Sequence, residues 1–346
     1  MNFRVDRWSA VALRSSLVIL TTVGALLLSS CGGGGQDSQS KRFKPTRMIV
    51  FGDEASLLVA PTAPNGIDAR KYTNNGLVTG TTDPQDVDCR VNPLWVQRLA
   101  LEYSLVFAEC NPDNATVTAQ MRATAGAKVA DLVTAVDAFL ATSAPVPTDL
   151  ITMMVGTNDI VELYNGVISS SLGRDAAVAA ALTEARARGL VFAGQINRLV
   201  NSNNTKGRVM YSTAPYLNTT PFGLSKSTAD QDLLESLTQS FNDGIRTKES
   251  DGGVKTNGRS LGFLDTAQTL VNIYDEVDGG GDADTITNVS EAACGNIVNL
   301  TLCTDRTLVS GATYISHLWA GDINFSAAGH IILGEDAVNL ATGLPW

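Results

Sequence analysis

The stretch "RMIVFGDEASLL", residues 47–58, sets the frame for the chain. Four apolar residues, Met48 to Phe51, run without a break and stop at Gly52-Asp53, and Glu54 follows. Such a run reads as a strand buried on both faces, ending in a turn that presents polar groups. Similar runs recur at "SLVFAE" (104–109), "LITMMVG" (150–156), "RVMYST" (208–213) and "LGFLDT" (261–266). Helical segments alternate with them, at "PLWVQRLALEY" (93–103), "AKVADLVTAVDAFLA" (127–141), residues 175–201 and residues 228–246. In the second, Val129, Leu132, Val133, Val136 and Leu140 recur at helical spacing. This alternation predicts an α/β fold with a mainly parallel sheet. Sites in such sheets lie beyond the carboxyl ends of the strands.

Two polar motifs fall at those ends. Gly52-Asp53-Glu54 follows the first run, and Gly156-Thr157-Asn158-Asp159 follows the third. Asn158 is thereby placed as a hydrogen-bond donor over the sheet edge. Gly126, in "RATAGAK" (122–128), precedes a helix, where a free backbone N–H points outward.

The composition narrows the class. The chain has 346 residues, 44% of them apolar, enough for one large domain over residues 47–346. Its net charge of −10 lacks the basic footprint of a nucleic-acid binder, and none is expected as partner. At the N-terminus, Arg4, Arg7 and Arg14 precede an apolar run over residues 17–28, short for a membrane span and suited to a signal segment. Its ending, Leu28-Ser29-Ser30-Cys31, resembles a bacterial lipobox. That resemblance implies a signal peptide over residues 1–30, lipid on Cys31 and a flexible tether over residues 31–46. With Gly32 after the cysteine, it implies the outer membrane as destination. Four other cysteines, Cys89, Cys110, Cys294 and Cys303, make an even set for an exported chain. Three pairings are possible, and the local ones, Cys89–Cys110 and Cys294–Cys303, are the simplest. No metal-ligand spacing occurs, and "DEVDGGGDADTITN" (275–288) reads as a solvated loop.

The order of the motifs resembles the SGNH/GDSL hydrolase family along nearly all of residues 47–346. "FGDEAS" (51–56) is similar to the family's Phe-Gly-Asp-Ser-Leu-Ser opening, and "GTNDI" (156–160) to its Gly-x-Asn-Asp block. "AGA" (125–127) sits where the family has its oxyanion glycine. "RKYTNNG" (70–76), "PLWVQRLA" (93–100), "TAPYLNTTP" (213–221) and "TNVSEAACG" (287–295) follow in the family's order. The resemblance implies a three-layer sandwich around a central five-stranded sheet, ester chemistry, and no cofactor or metal.

That chemistry needs an attacking serine, a histidine base, an orienting aspartate and oxyanion donors. Glu54 stands at the nucleophile position. In "HLWAGDINFSAAGHIIL" (317–333), alignment on Gly329-His330 puts Gly321 at the aspartate and Asn324 at the histidine. Alignment on Asp322 puts Phe325 at the histidine instead. Either way the base is missing, and the two histidines of the chain, His317 and His330, fall elsewhere. The oxyanion positions, Gly126 and Asn158, are kept. Three roles are open to Glu54. It is a carboxylate at a helix start, or it fills the donor pair itself, or it works with Asp53, Asp159 or Asp322 in a different hydrolysis. Ser56 is a further candidate nucleophile. The expectation is a non-catalytic lipoprotein that binds an ester, acyl chain, glycan or envelope partner. The alternative is an active carboxylic-ester hydrolase with a rearranged site. The oligomeric state is not legible.

Overall fold

The computed structural model describes residues 43–200, 207–256, 260–281, 285–295 and 297–343. Cys31 and the signal segment lie outside the described residues. Five parallel strands form the central sheet: β1 (Arg47–Gly52), β2 (Ala119–Met121), β3 (Asp149–Met154), β4 (Arg208–Ser212) and β5 (Leu261–Leu264). Their order is β2-β1-β3-β4-β5. β1 and β3 pair in full register, from Arg47 beside Asp149 to Gly52 beside Met154.

The continuous apolar runs are explained by helices on both faces. Met48 and Val50 point to one face, where α1 (Trp95–Glu102), α6 (Thr266–Asp278) and α7 (Ala327–Gly343) bring Trp95, Leu99, Leu270 and Leu333. Ile49 and Phe51 point to the other, against α2 (Val129–Thr142), α3 (Thr157–Ile168), α4 (Arg174–Val200) and α5 (Thr228–Ile245). The result is the expected three-layer α/β sandwich. The described chain begins at Phe43, whose ring is already buried in the first of these cores.

One strand differs from the sequence reading. Residues 104–109 are not in the sheet; Ala119–Met121 takes that edge. Leu105 and Phe107 alternate inward, which imitates a strand, and both are buried. Ser104 has a positive φ of 55°, however, and Ala108–Cys110 tightens into a 3-10 turn. Phe107 therefore makes only an isolated bridge to Ala119, and the Met48 N–H donates to the Thr118 carbonyl at 2.9 Å.

The segment expected as a loop from residue 275 also differs at its start. α6 continues to Asp278, held by buried Leu270 and Ile273 and capped at its start by Asp265, which accepts from the Gln268 N–H. Both local disulfides are present, Cys89–Cys110 and Cys294–Cys303.

Candidate functional site

The strand order places a site before any side chain is considered. The connection from β1 crosses one face through α1 to β2, whereas the connections from β2 to β3 and from β3 to β4 run over the other face. The carboxyl ends of β1 and β3 therefore flank a topological switch point, where a crevice opens. Glu54 follows β1 and Asn158 opens α3 after β3. The turn after β2 supplies Gly126.

These three residues meet. The Gly126 N–H donates to Glu54 Oε2 at 2.8 Å. Asn158 Nδ2 donates to Oε2 at 3.1 Å and lies 3.2 Å from Oε1. The Gly126 backbone has φ +73°, a left-handed conformation that glycine adopts without strain and that aims its N–H at the carboxylate. Gly156, at φ +130°, lets α3 start close under α5; a Cβ there would lie 2.5 Å from the Phe241 ring.

The two donor-bearing turns are stitched to each other. Asn158 Nδ2 also donates to the Ala127 carbonyl at 3.3 Å. The buried Asp159 accepts the Val129 N–H at 3.0 Å and Arg188 Nη1 at 3.1 Å. Burial raises the Asp159 carboxyl above its usual range, against the pull of Val129 and Arg188. Asp159 thus ties the start of α2 to the start of α3 and stays away from the crevice chemistry.

Asp53 and Ser56 are also structural. Asp53 accepts the Ala55 N–H at 3.0 Å and caps the turn that carries Glu54. Burial pushes the Asp53 carboxyl well above the usual range, and the nearby charges of Glu54 and Asp159 push it further. Ser56 is fully buried and accepts from Trp95 Nε1 at 3.2 Å, so it offers no exposed nucleophile.

The late block forms the opposite wall. Glu54, Gly126, Gly321, Asp322 and Asn324 line one cleft of about 550 Å³ together with Tyr72 and Leu300. The Ala320 and Gly321 N–H groups both donate to the Asn324 carbonyl, at 2.8 and 3.3 Å. A Cβ at residue 321 would sit 3.2 Å from Asn324 Oδ1. Positions 321 and 324 are therefore neighbours, as an acid orienting a base would have to be.

No imidazole reaches this wall among the described residues. His317 is buried with Nδ1 beside Ser316 Oγ at 2.9 Å, and burial lowers its pKa against the pull of Glu291. His330 lies fully buried in α7, edge-on to Phe325. Phe325 stacks on Trp319 at 4.9 Å and is itself buried. Sequence reasoning missed Tyr72 and Leu300 as cleft residues, although both lie in or beside segments it had singled out. No cluster suited to a metal ion occurs among the described residues.

Removing the Glu54 carboxylate tests the contact. Glu54→Ala leaves the Gly126 N–H without its acceptor and takes both carboxylate contacts from Asn158, which keeps the Ala127 carbonyl. It is expected to cost about 1–3 kcal/mol in urea denaturation. Acetate added to the variant should recover part of that loss where chloride does not. If acetate has no effect, the donor pair is not a carboxylate seat.

No family model matches the chain, and no curated protein matches it. Among solved structures, it is similar to a member of the lipolytic protein G-D-S-L family from Veillonella parvula, at 13% identity and TM-score 0.43, covering 86% of this chain and 99% of that one. An extracellular lipase from Streptomyces rimosus matches at 14% identity and TM-score 0.41, over 86% and 100% of the two chains. A phospholipase A1 from Streptomyces albidoflavus matches at 13% identity and TM-score 0.41, over 83% and 98%.

Proposed function

We propose that this chain is an SGNH/GDSL-like lipoprotein of the outer membrane that binds a ligand in its cleft and does not hydrolyse it. One observation carries the reading. The Glu54 carboxylate already takes the hydrogen bonds of Gly126 and Asn158, the donors that ester hydrolysis would need for its oxyanion. With Glu54 seated there, neither of these two donors is free for a developing negative oxygen. The cleft itself persists beside it, with Tyr72 and Leu300 in its walls, and has room for part of an ester, acyl or glycan ligand. Lipid on Cys31 would hold the domain at the membrane. Among the described residues no helix is long and apolar enough to cross one.

The assay is hydrolysis of p-nitrophenyl butyrate by the purified chain. The unmodified protein and Glu54→Ser should show no turnover above buffer. The triple variant Glu54→Ser, Gly321→Asp, Asn324→His should gain it. A Cβ at 321 meets only the flexible ends of Leu300 and Asn324, at 3.1 and 3.2 Å, so the variant fits the wall with small side-chain shifts. The alternative, an active carboxylic-ester hydrolase, draws on the two carboxylates, Glu54 and Asp322, that line the same cleft. It predicts turnover by the unmodified chain that falls on Glu54→Gln.

A further inference from the structure

From the charges and surfaces of the cleft we infer that its ligand carries a primary ammonium group on an aliphatic body. This rests on the reading of the cleft as a binding site. The donors that would have met an anion are consumed, because Gly126 and Asn158 both point at Glu54. An anionic ligand would instead meet Glu54 and the exposed Asp322, both of which line the cleft. No lysine, arginine or histidine lines it among the described residues. Lys71, next to Tyr72 in the chain, is fully buried and directed at backbone carbonyls.

The acceptors suit a cation. A carboxylate has about four acceptor positions. Glu54 Oε2 receives Gly126 and Asn158, whereas Oε1 receives Asn158 alone, at 3.2 Å. Oε1 keeps acceptor capacity for an N–H brought by a ligand. Tyr72 in the same wall brings an aromatic ring, a group that attracts ammonium ions through its face.

The aliphatic body follows from the loop closed by the Cys294–Cys303 disulfide. That loop presents Ile297, Val298 and Leu300 to the cleft, and Val298 is completely exposed. An apolar residue in that position gains from a ligand that covers it.

Isothermal titration of the full chain with hexylammonium, hexanoate and 1-hexanol separates charge from chain length. Hexylammonium should bind at least about tenfold more tightly than hexanoate, since like-charge juxtaposition costs several kcal/mol. Hexanol should fall between. Asp322→Asn, a change at an exposed side chain, should narrow the gap between ammonium and carboxylate. Hexanoate binding as tightly as hexylammonium, an unchanged gap in Asp322→Asn, or no binding of any of the three would overturn the inference. Turnover of p-nitrophenyl butyrate by the unmodified chain would overturn the non-hydrolytic reading instead, and leaves the order of the three affinities to decide the ligand's charge.

Discussion

Lys71→Ala is expected to destabilise the fold by about 3 kcal/mol, since three backbone carbonyls lose their donor at about 1–3 kcal/mol each. Lys71 is fully buried, and its Nζ donates to the carbonyls of Cys89, Val91 and Asn92 at 3.2, 2.6 and 2.9 Å. Three acceptors around one nitrogen require three N–H bonds, which only the ammonium form supplies. Burial lowers the Lys71 pKa to about 7, against the pull of Asp88 and Asp305, so the contribution of the side chain to stability is greatest above the ordinary lysine range and falls as the pH drops toward 7. Urea denaturation at about pH 6 reads the loss where folded and unfolded chains both carry the ammonium, and the loss should grow when the measurement is repeated at about pH 8.5. Lys71→Met keeps the length of the side chain and removes the donors, and it should stay most of the way toward the alanine value. A loss below about 1 kcal/mol for both would show that water replaces the ammonium at the carbonyls. The same residues brace the cleft: Asn92 and Asn74 both donate to Asp305, and Tyr72 follows Lys71 directly. The cleft wall should loosen with the fold.

His330 makes the chain acid-sensitive in a way that His330→Leu should remove. The ring is fully buried, and neither nitrogen has a hydrogen-bond partner among the described residues. Burial lowers its pKa to about 3, with the positive charge of Lys71 acting in the same direction. The unfolded chain therefore binds this proton at a higher pH than the folded one. Stability from the neutral ring is present above about pH 6.5 and is lost as the pH falls toward 3, by roughly 1.4 kcal/mol per unit. Asp53 and Asp159, whose carboxyls are raised by burial, work with the opposite sign and add stability on acidification. The whole curve is a composite, and the difference between the chain and His330→Leu isolates the histidine. Between about pH 6.5 and 4.5 that difference should change by about 2–3 kcal/mol. Parallel curves would mean that the ring finds a proton partner in solution.

The parts legible in the sequence are those that local chemistry dictates. Residues 47–51, 150–156, 208–213 and 261–266 read as buried strands because each side of the sheet is covered, which demands apolar residues at successive positions. Glu54 and Asn158 are legible as neighbours because each follows a predicted strand at the same edge, whereas Gly126 is legible only from the helix it precedes and the seat of Glu54 is one of three roles the sequence leaves open. Residues 104–109 misled for a physical reason. Leu105 and Phe107 alternate into the core as a strand's would, but a positive φ at Ser104 and the 3-10 turn at Ala108–Cys110 prevent a ladder. Tyr72 reaches the cleft from a bend and Leu300 from a 3-10 turn, neither with a periodic pattern, and Arg70 contacts the Thr301 carbonyl across a separation of 231 residues. No local pattern encodes such a contact. The role of Lys71 was hidden for the same reason, because its partners are backbone carbonyls that carry no sequence signature.

The stitching of α2 to α3 by Asp159 and Asn158 has a consequence for what the two donors are worth. A hydrogen bond that exists only at the top of a reaction barrier changes a rate and leaves the resting molecule unaffected. The bonds to Glu54 are present in the resting chain, at 2.8 and 3.1 Å, between turns fixed to each other. The free energy of bonds already made in the resting chain belongs to the equilibrium between folded and unfolded chain. The same geometry thus acts as a static brace, whose strength is read in a melting curve.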